Sequence, residues 1–568
     1  MPVTNTAKQF FTSCGAKLDG IRMEYNGSTQ LAQLTYDYAV GDRMFLKSVK
    51  TNKEGTFCME YNTPLLSEIP TPLTSNIDHW GFWRGENANI ALIPGMSYPF
   101  SQYSLDYKIT TDHRNATGKR YDVSLLRQMT YPTGGRVEFN YEPHKFSTIV
   151  QNGSSTFYPT DYSPSPSQSG LAGGARIHSI RYMDTTGKVQ RETMYTYGSL
   201  SKEGKVMYMP FYRLLLVEKA DNNSDRITIK GAAFNSEGFT DISYPSVHIR
   251  YPEVTEHYID SSKGGLEQKH SYKKTEFQTN QSISSFYYNA NEYFQILSTS
   301  GDSHVYTLFS EDYKRHLKHL VAHPTDDASL YYAKISRETY YDENDVMRKK
   351  IDYGYAYHNK DNYNLCLFSP NISGRQMFNL FAHIGKEYFR MLLPVSMRTT
   401  DYYGTQGEQQ REQWKYMKYN EAGYLIESSQ PQNMVDSLIT VYQYAEYSTK
   451  NKFQMLPTAE WHYSGAFGKR QLLGYQNTEY RLPENVDARE WKVVSKESLF
   501  DGNGKLTGRI EYTHYDKFGN PLEAVENGSR HIVFLWSHNG QNLRARVENA
   551  SYQENRNSCP LRQQIFLN

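Results

Sequence analysis

Five short stretches of the chain share one pattern: an aromatic residue or Met, then Asp or Asn, two variable residues, and a residue able to adopt a left-handed backbone. They are Met183-Asp184-Thr185-Thr186-Gly187, Tyr341-Asp342-Glu343-Asn344-Asp345, Tyr419-Asn420-Glu421-Ala422-Gly423, Phe500-Asp501-Gly502-Asn503-Gly504 and Tyr515-Asp516-Lys517-Phe518-Gly519. Asp at the first position of a turn accepts a nearby backbone N–H, and Gly at the fourth takes positive φ without a Cβ clash. Asp345 stands where the other copies have Gly, and Asp also visits the left-handed region. Tyr131-Pro132-Thr133-Gly134-Gly135 is a variant in which Pro presets the turn. Aromatic flanks suit a pleated, half-buried surface. Each copy therefore predicts a hairpin, and their recurrence predicts a repeat architecture with irregular spacing.

Tyrosine usage agrees with this. The 568 residues include 49 Tyr against 26 Phe and 6 Trp. Tyr buries a large ring and keeps a polar tip that needs a partner or water. Many sheets with thin cores would use such a residue; a helical bundle would not. The balance of 62 Lys+Arg against 61 Asp+Glu, a net charge of +1, gives no electrostatic steering toward nucleic acid, an anionic membrane or an acidic substrate. No apolar run is long enough to span a bilayer. The first twenty residues lack the basic region and apolar core of a secretory signal. Cys14, Cys58, Cys366 and Cys559 are far apart and read as isolated thiols.

Along the chain, residues 1–62 read as an N-terminal strand segment. Residues 63–125 are an irregular segment, with Pro64, Pro70, Pro72, Pro94 and Pro99 interrupting any ladder. Residues 126–372 are β-rich and contain a Ser/Pro/Gly loop over 151–175. Residues 373–392 place Met377, Leu380, Phe381, Ile384 and Tyr388 at helical spacing and predict one short covering helix. Residues 393–557 return to strand and turn, and 558–568 form an irregular tail. The expected fold class is all-β, a spiral of antiparallel strands and hairpins with that single helix. The last strands carry no polar cap, which reads either as a truncated array or as one that a neighbouring chain completes.

The repeated turns resemble those of bacterial RHS/YD-repeat proteins. The likeness is strongest at His514-Tyr515-Asp516-Lys517-Phe518-Gly519-Asn520-Pro521-Leu522 and extends to Tyr419–Leu425, Met129–Gly135, Asp78–Gly81 and Tyr251–Tyr258. The resemblance implies a strand-and-turn spiral, which many members close into a hollow shell around a C-terminal toxic domain. It implies a non-catalytic shell or scaffold segment of a secreted or cell-surface protein. Its partners would be a polypeptide cargo or the remaining part of the shell. The chain departs from the pattern in lacking Asp-Pro-x-Gly, so no cleavage residue carries over. If the chain is complete as given, the expected location is cytoplasmic.

Few residues invite a chemical role. There is no His-Glu-x-x-His, no phosphate-binding Gly-rich loop and no paired metal-ligand spacing, so no catalytic residue, metal site or cofactor is expected. His144, His178, His248 and His257 read as hydrogen-bonded sheet histidines. The densest cluster is Asp78-His79-Trp80-Gly81-Phe82-Trp83. Trp80, Phe82 and Trp83 would suit stacking on a sugar ring, which makes a glycan-binding adhesin the alternative function. The same aromatics would equally anchor a Pro-punctuated loop against a sheet. The turn residues Asp184, Gly187, Asp342, Asn420, Gly423, Asp501, Gly504, Tyr515, Asp516 and Gly519 are read as structural.

Overall fold

The computed structural model describes residues 18–25, 28–39, 43–63, 74, 76–86, 97–100, 105–108, 114–149, 170–198, 203–206, 211–220, 227–237, 248–260, 269–278, 334–358, 363–368, 383–388, 391–432, 436–449, 452–466, 469–483, 491–516, 518–537 and 542–553. They are almost wholly strand, and nearly every pairing is antiparallel. The chain divides into two compact units. One comprises Met1–Ile351, Asn359–Leu392 and Asp401–Gln410; the other comprises Asp352–His358, Leu393–Thr400 and Arg411–Asn568.

The first unit is a meander with two excursions. Gly20–Tyr25, Ser28–Ala39, Arg43–Thr51 and Gly55–Tyr61 pair in order. Gly55–Tyr61 pairs next with Leu126–Thr130, and the meander runs on through Arg136–Ile149, Gly170–Met183 and Val189–Tyr197. It resumes at Glu253–Asp260, Ser271–Phe277 and Ile335–Tyr341. The first excursion, between Tyr61 and Leu126, holds the Asp78 loop and a hairpin of Ser97–Phe100 with Leu105–Lys108. Pro99 lies in that short hairpin, where a two-stranded ladder tolerates it. The second excursion brings Gly204–Val206 parallel to Arg136–Ile149 and antiparallel to Ile249–Arg250. Trp80, Phe146, Ala172, Val206 and Ile249 form a core where the two excursions meet.

In the second unit each strand pairs with its predecessor without interruption. The order is Leu425–Pro431, Asp436–Thr449, Lys452–Ala466, Lys469–Arg481, Val493–Asp501, Leu506–Tyr515, Pro521–Glu526, Arg530–Ser537 and Asn542–Glu548.

The predicted helix is corrected where the structure describes it. His383–Tyr388 is a strand paired with Tyr363–Phe368; residues 373–382 lie outside the described residues. Helical spacing of five apolar side chains is a local signal, and pairing with a strand twenty residues upstream supplies the backbone hydrogen bonds instead.

The repeated turns share one geometry. The Asp or Asn N–H donates to the carbonyl four residues on, and the N–H three residues on donates back, at 2.9–3.2 Å. At Asp184, Asp342, Asp501 and Asp516, Oδ1 also accepts the second and fourth following N–H at 2.8–3.1 Å. Asn420 Oδ1 accepts the fourth, at 2.9 Å. The residue at the fourth position has φ of 80–89° at Gly187, Gly423, Gly504 and Gly519, and 61° at Asp345.

A second device starts one residue before the Asp. Tyr419 pairs with Leu425 and Tyr515 with Pro521, and in each case the next residue of the partner strand, Ile426 or Leu522, is an extra, bulged one. The same bulge faces Tyr36, Tyr61, Tyr141, Tyr444, Tyr480 and Trp536. Tyr61, Tyr141, Tyr444, Tyr480, Tyr515 and Trp536 donate backward to a carbonyl of the preceding strand, and that carbonyl belongs to the residue paired across the previous bulge. Tyr36 pairs with Leu46, whose carbonyl accepts from Tyr61 at 3.0 Å; Tyr61 pairs with Leu126, which accepts from Tyr141 at 2.8 Å; Tyr141 pairs with Ile177, which accepts from Tyr197 at 2.6 Å. In the second unit Leu425 accepts from Tyr444 at 2.9 Å, Pro457 from Tyr480 at 2.8 Å, Val494 from Tyr515, and Pro521 from Trp536 Nε1 at 2.7 Å. A bulge takes backbone groups out of the ladder, and the aromatic tip satisfies one of them. Tyr444→Phe is therefore expected to lower the second unit's stability by about 1–2 kcal/mol in urea unfolding, since it leaves the Leu425 carbonyl without its donor. Tyr442→Phe, on the same strand but outside the relay, is expected to cost less than half of that.

Candidate functional site

The Asp78 loop is a further copy of the same turn. Asp78 N–H donates to Phe82 O at 2.7 Å, and Gly81 N–H returns to Asp78 O at 3.1 Å. Oδ1 accepts from Trp80 and Phe82 N–H at 2.9 and 3.0 Å, and Gly81 has φ of 91°. Here the turn faces inward. Asp78 and His79 are 1% and 2% exposed, and Trp80 is 3% exposed within the first unit's core. The segment after residue 113 zips the loop in place. Arg114 donates to the carbonyls of Ile77 and Asp78 at 3.2 and 2.8 Å, Arg84 Nε to Asn115 O at 2.9 Å, and Thr117 to Arg84 O. The strand Gly170–Met183 accommodates the loop through Gly173, where a Cβ would come within 2.0 Å of Asp78 Oδ2.

Three imidazoles collect around Trp80. His79 lies edge-on to it with Nε2 3.1 Å from Asn115 Oδ1. His248 packs 5.3 Å from the Trp80 ring and 5.4 Å from Phe82, with Nε2 2.8 Å from the Gly173 carbonyl. His144 sits 5.6 Å from His248, its Nδ1 2.7 Å from the Tyr251 hydroxyl. Burial disfavours the imidazolium and pushes His79 and His144 down to about 3 and His248 to about 4. Burial pushes the Asp78 carboxyl the other way, up to about 7, against the opposing pull of the amides it accepts and of Arg114. Arg176 borders the cluster, paired with Glu142 at 2.8 Å and lying over the rings of Tyr197 and Tyr251.

A cavity of about 190 Å³ opens beside the loop, lined by Phe82, Trp83, Arg84, Lys119 and Arg120 among others. That is below the roughly 300–1,000 Å³ of small-molecule sites. Trp83 Nε1 is enclosed without a hydrogen-bond partner among the described residues.

The second unit holds a different buried acid. Glu523 is 4% exposed and accepts from Thr513 Oγ1 at 2.6 Å, the Tyr552 amide at 3.0 Å, and His514 and His531 Nδ1 at 2.9 Å each. An ionised carboxylate only accepts, so both imidazoles present Nδ1–H to it and turn Nε2 away. Burial alone would raise this carboxyl, but its four donors outweigh burial and hold it at about 2. Among the described residues no group of three or more His, Cys, Asp or Glu side chains is arranged to hold a metal, and no helix is long and apolar enough to cross a membrane.

The residues singled out in the sequence separate accordingly. Trp80 is enclosed and offers no face to a sugar, Phe82 is 42% exposed, and Trp83 is half-buried. Asp184, Asp342, Asn420, Asp501 and Asp516, with Gly187, Gly423, Gly504 and Gly519, occupy the turns described above, and Tyr515 occupies the relay. Sequence reasoning missed that Asp78-His79-Trp80-Gly81 is another Asp-x-x-Gly turn, although the spacing was visible. It also missed that His144 and His248 join His79, because 65 and 169 positions separate them from it.

No family model and no curated protein matches the chain. Solved structures titled TcdB2-TccC3, TcdB2-TccC3-TEV and TcdB2-TccC3-Cdc42 align with it at TM-scores of 0.37, 0.31 and 0.31 and identities of 9%, 8% and 7%. The alignments cover 93–94% of this chain and 28–30% of those chains. The chain thus spans under a third of their length. Superpositions this loose leave function to be argued from the chain's own residues.

Trp80→Ala is expected to destabilise the first unit by about 3–5 kcal/mol in urea unfolding, as for a large aromatic removed from a core, with Phe82→Ala costing much less. The Glu523 carboxyl titrates lower in the folded than in the unfolded chain. Its stabilisation is therefore present above its ordinary value of 4.5 and is lost as pH falls toward about 2. Thermal unfolding of Glu523→Gln followed from pH 6 to pH 2 should lack this contribution to the acid-side decline.

Proposed function

We propose that this chain is a non-catalytic wall segment that encloses or displays a polypeptide, as a scaffold in a secreted or cell-surface bacterial protein of the RHS/YD-repeat kind. The observation that carries this reading is the aromatic relay, which recurs within each unit and there joins each participating strand to the one before it. A wall needs that continuity, whereas a catalytic domain concentrates its polar groups in one cleft. Among the described residues the most buried acids are Asp78 and Glu523; Asp78 Oδ1 and both Glu523 oxygens accept from backbone amides or neighbouring side chains of their own unit. Large apolar side chains on the second unit, among them Leu438, Phe453, Leu473, Trp491 and Leu499, are 38–52% exposed, and each offers apolar area that a bound polypeptide would cover.

The test is protease protection of a bound polypeptide. The protein is purified from its native cells after mild cross-linking, digested, and the surviving peptides are identified by mass spectrometry. A defined second polypeptide should survive with the wild type, and its survival should drop at least tenfold when Tyr444, Tyr480 and Trp536 are all replaced by Phe. A wild-type protein that protects nothing but hydrolyses or retains glycans would overturn the reading.

A further inference from the structure

The His79–His144–His248 cluster has no part in the proposed wall beyond packing, yet it gathers three neutral imidazoles around one plugging indole. We propose that the Asn76–Glu86 loop is an acid-released latch, held shut by uncharged His79, His144 and His248 around Trp80 and opened when protons reach those imidazoles.

The geometry makes protonation incompatible with the closed loop. Each imidazole is packed against rings: His79 against Trp80, His248 against Trp80 and Phe82, and His144 against His248 and Tyr251; His79 and His248 are buried and His144 is half-buried. The surrounding charges are mostly positive. Arg84 comes from the loop, Arg114 from the segment that zips it, and Arg176 from the strand Gly170–Met183. Glu142, on the strand Arg136–Ile149, is engaged by Arg176. The Tyr197 and Tyr251 phenols, which complete the surroundings, lie beneath the Arg176 guanidinium. Asp78 is the one carboxyl in the loop turn itself, and its Oδ1 is occupied by two amides. A proton on His144 also places a cation 5.6 Å from His248.

The proton count sets the steepness. The histidines titrate lower in the closed state than in the open one, so closure is fully favoured above their ordinary value of 6.5 and weakens as pH falls toward 4. Asp78 acts with the opposite sign. Its carboxyl is raised to about 7 when closed, so opening releases one proton between that value and its ordinary 3.8. The balance is about two protons taken up per opening, or about a hundredfold change in the opening equilibrium per pH unit in the middle of the window. The inference rests on the loop alone and would survive failure of the wall reading.

Hydrogen exchange on the full chain tests it through the Asp78, His79 and Arg84 amides, which donate to Phe82, Arg114 and Asn76 carbonyls. After correction for intrinsic exchange, their protection should fall about a hundredfold between pH 6 and pH 5, while the Gly504 and Gly519 turn amides keep theirs. The double variant His144→Gln/His248→Gln leaves His79 and Asp78, whose opposing counts cancel, and should be nearly flat. Asp78→Asn keeps an acceptor for the two amides and removes the opposing proton, so its dependence should steepen toward a thousandfold. Wild-type protection within twofold across that range, or a double variant as steep as wild type, overturns the latch. If the double variant does not fold at pH 7, wild-type imidazole NMR decides: imidazoles neutral until the loop opens support it, and imidazoles that titrate near 6.5 with the loop closed overturn it.

Discussion

The structure depends on an aromatic tip reaching back across a bulge. An extra residue in a strand removes backbone groups from the ladder, and a buried carbonyl without a donor costs as much as a lost hydrogen bond. The chain meets that cost by passing it on. The residue that pairs with one aromatic offers its carbonyl to the aromatic of the following strand. Tyr419 pairs with Leu425, Leu425 accepts from Tyr444, Tyr444 pairs with Pro457, and Pro457 accepts from Tyr480. Trp536 serves as well as Tyr because only an N–H or O–H donor at the end of a planar side chain is required. Phe277 and Phe500 sit at the same kind of bulge and fill it without the bond.

The Tyr-Asp dipeptide thereby acquires a physical meaning. At Tyr515-Asp516 the Tyr hydroxyl binds the strand before, at Val494, while the Asp carboxylate shapes the turn into the strand after, through the Phe518 and Asn520 amides. Two adjacent side chains thus tie three successive strands. Irregular spacing between copies follows from the same fact. The device constrains only the aromatic, the Asp turn and the bulge opposite, so loops elsewhere vary in length at small entropic cost. The excursion between Tyr61 and Leu126 leaves the relay unbroken, because Leu126 still pairs with Tyr61 and still accepts from Tyr141.

Much of the fold was legible in the sequence, for reasons that also explain what was not. Asp-x-x-Gly turns are local: Asp501 and Gly504 contain all the chemistry that folds them. Tyrosine abundance pointed to half-buried rings with partnered tips. The bulged residues opposite the aromatics, which include Lys47, His178, Ile426 and Leu522, share no side-chain chemistry, so the relay had no signature beyond the Tyr itself. The helix expected near Ile384 and Tyr388 failed because a local apolar period competes poorly with a strand partner, here Tyr363–Phe368, that the period cannot reveal. The Trp80 surroundings were hidden for a related reason, since Val206 and Ile249 arrive on a separate excursion.

The inward Asp78 turn shows what one local motif becomes in a different solvent. Asp501 and Asp516 hold their turns with carboxylates near water. Asp78 makes the same bonds behind Trp80, where desolvation penalises the charge and the two amides and Arg114 only partly restore it. The residues between Asp and Gly differ in kind for the same reason: Gly502-Asn503 and Phe518 at the exposed turns, His79-Trp80 at the buried one. His79 is small enough to bury and polar enough to bind Asn115, but it keeps that place only while uncharged. A turn whose closure elsewhere needs only its own backbone is here tied to the protonation of side chains from three separate stretches of the chain, which gives the loop a dependence on acidity that its exposed counterparts lack.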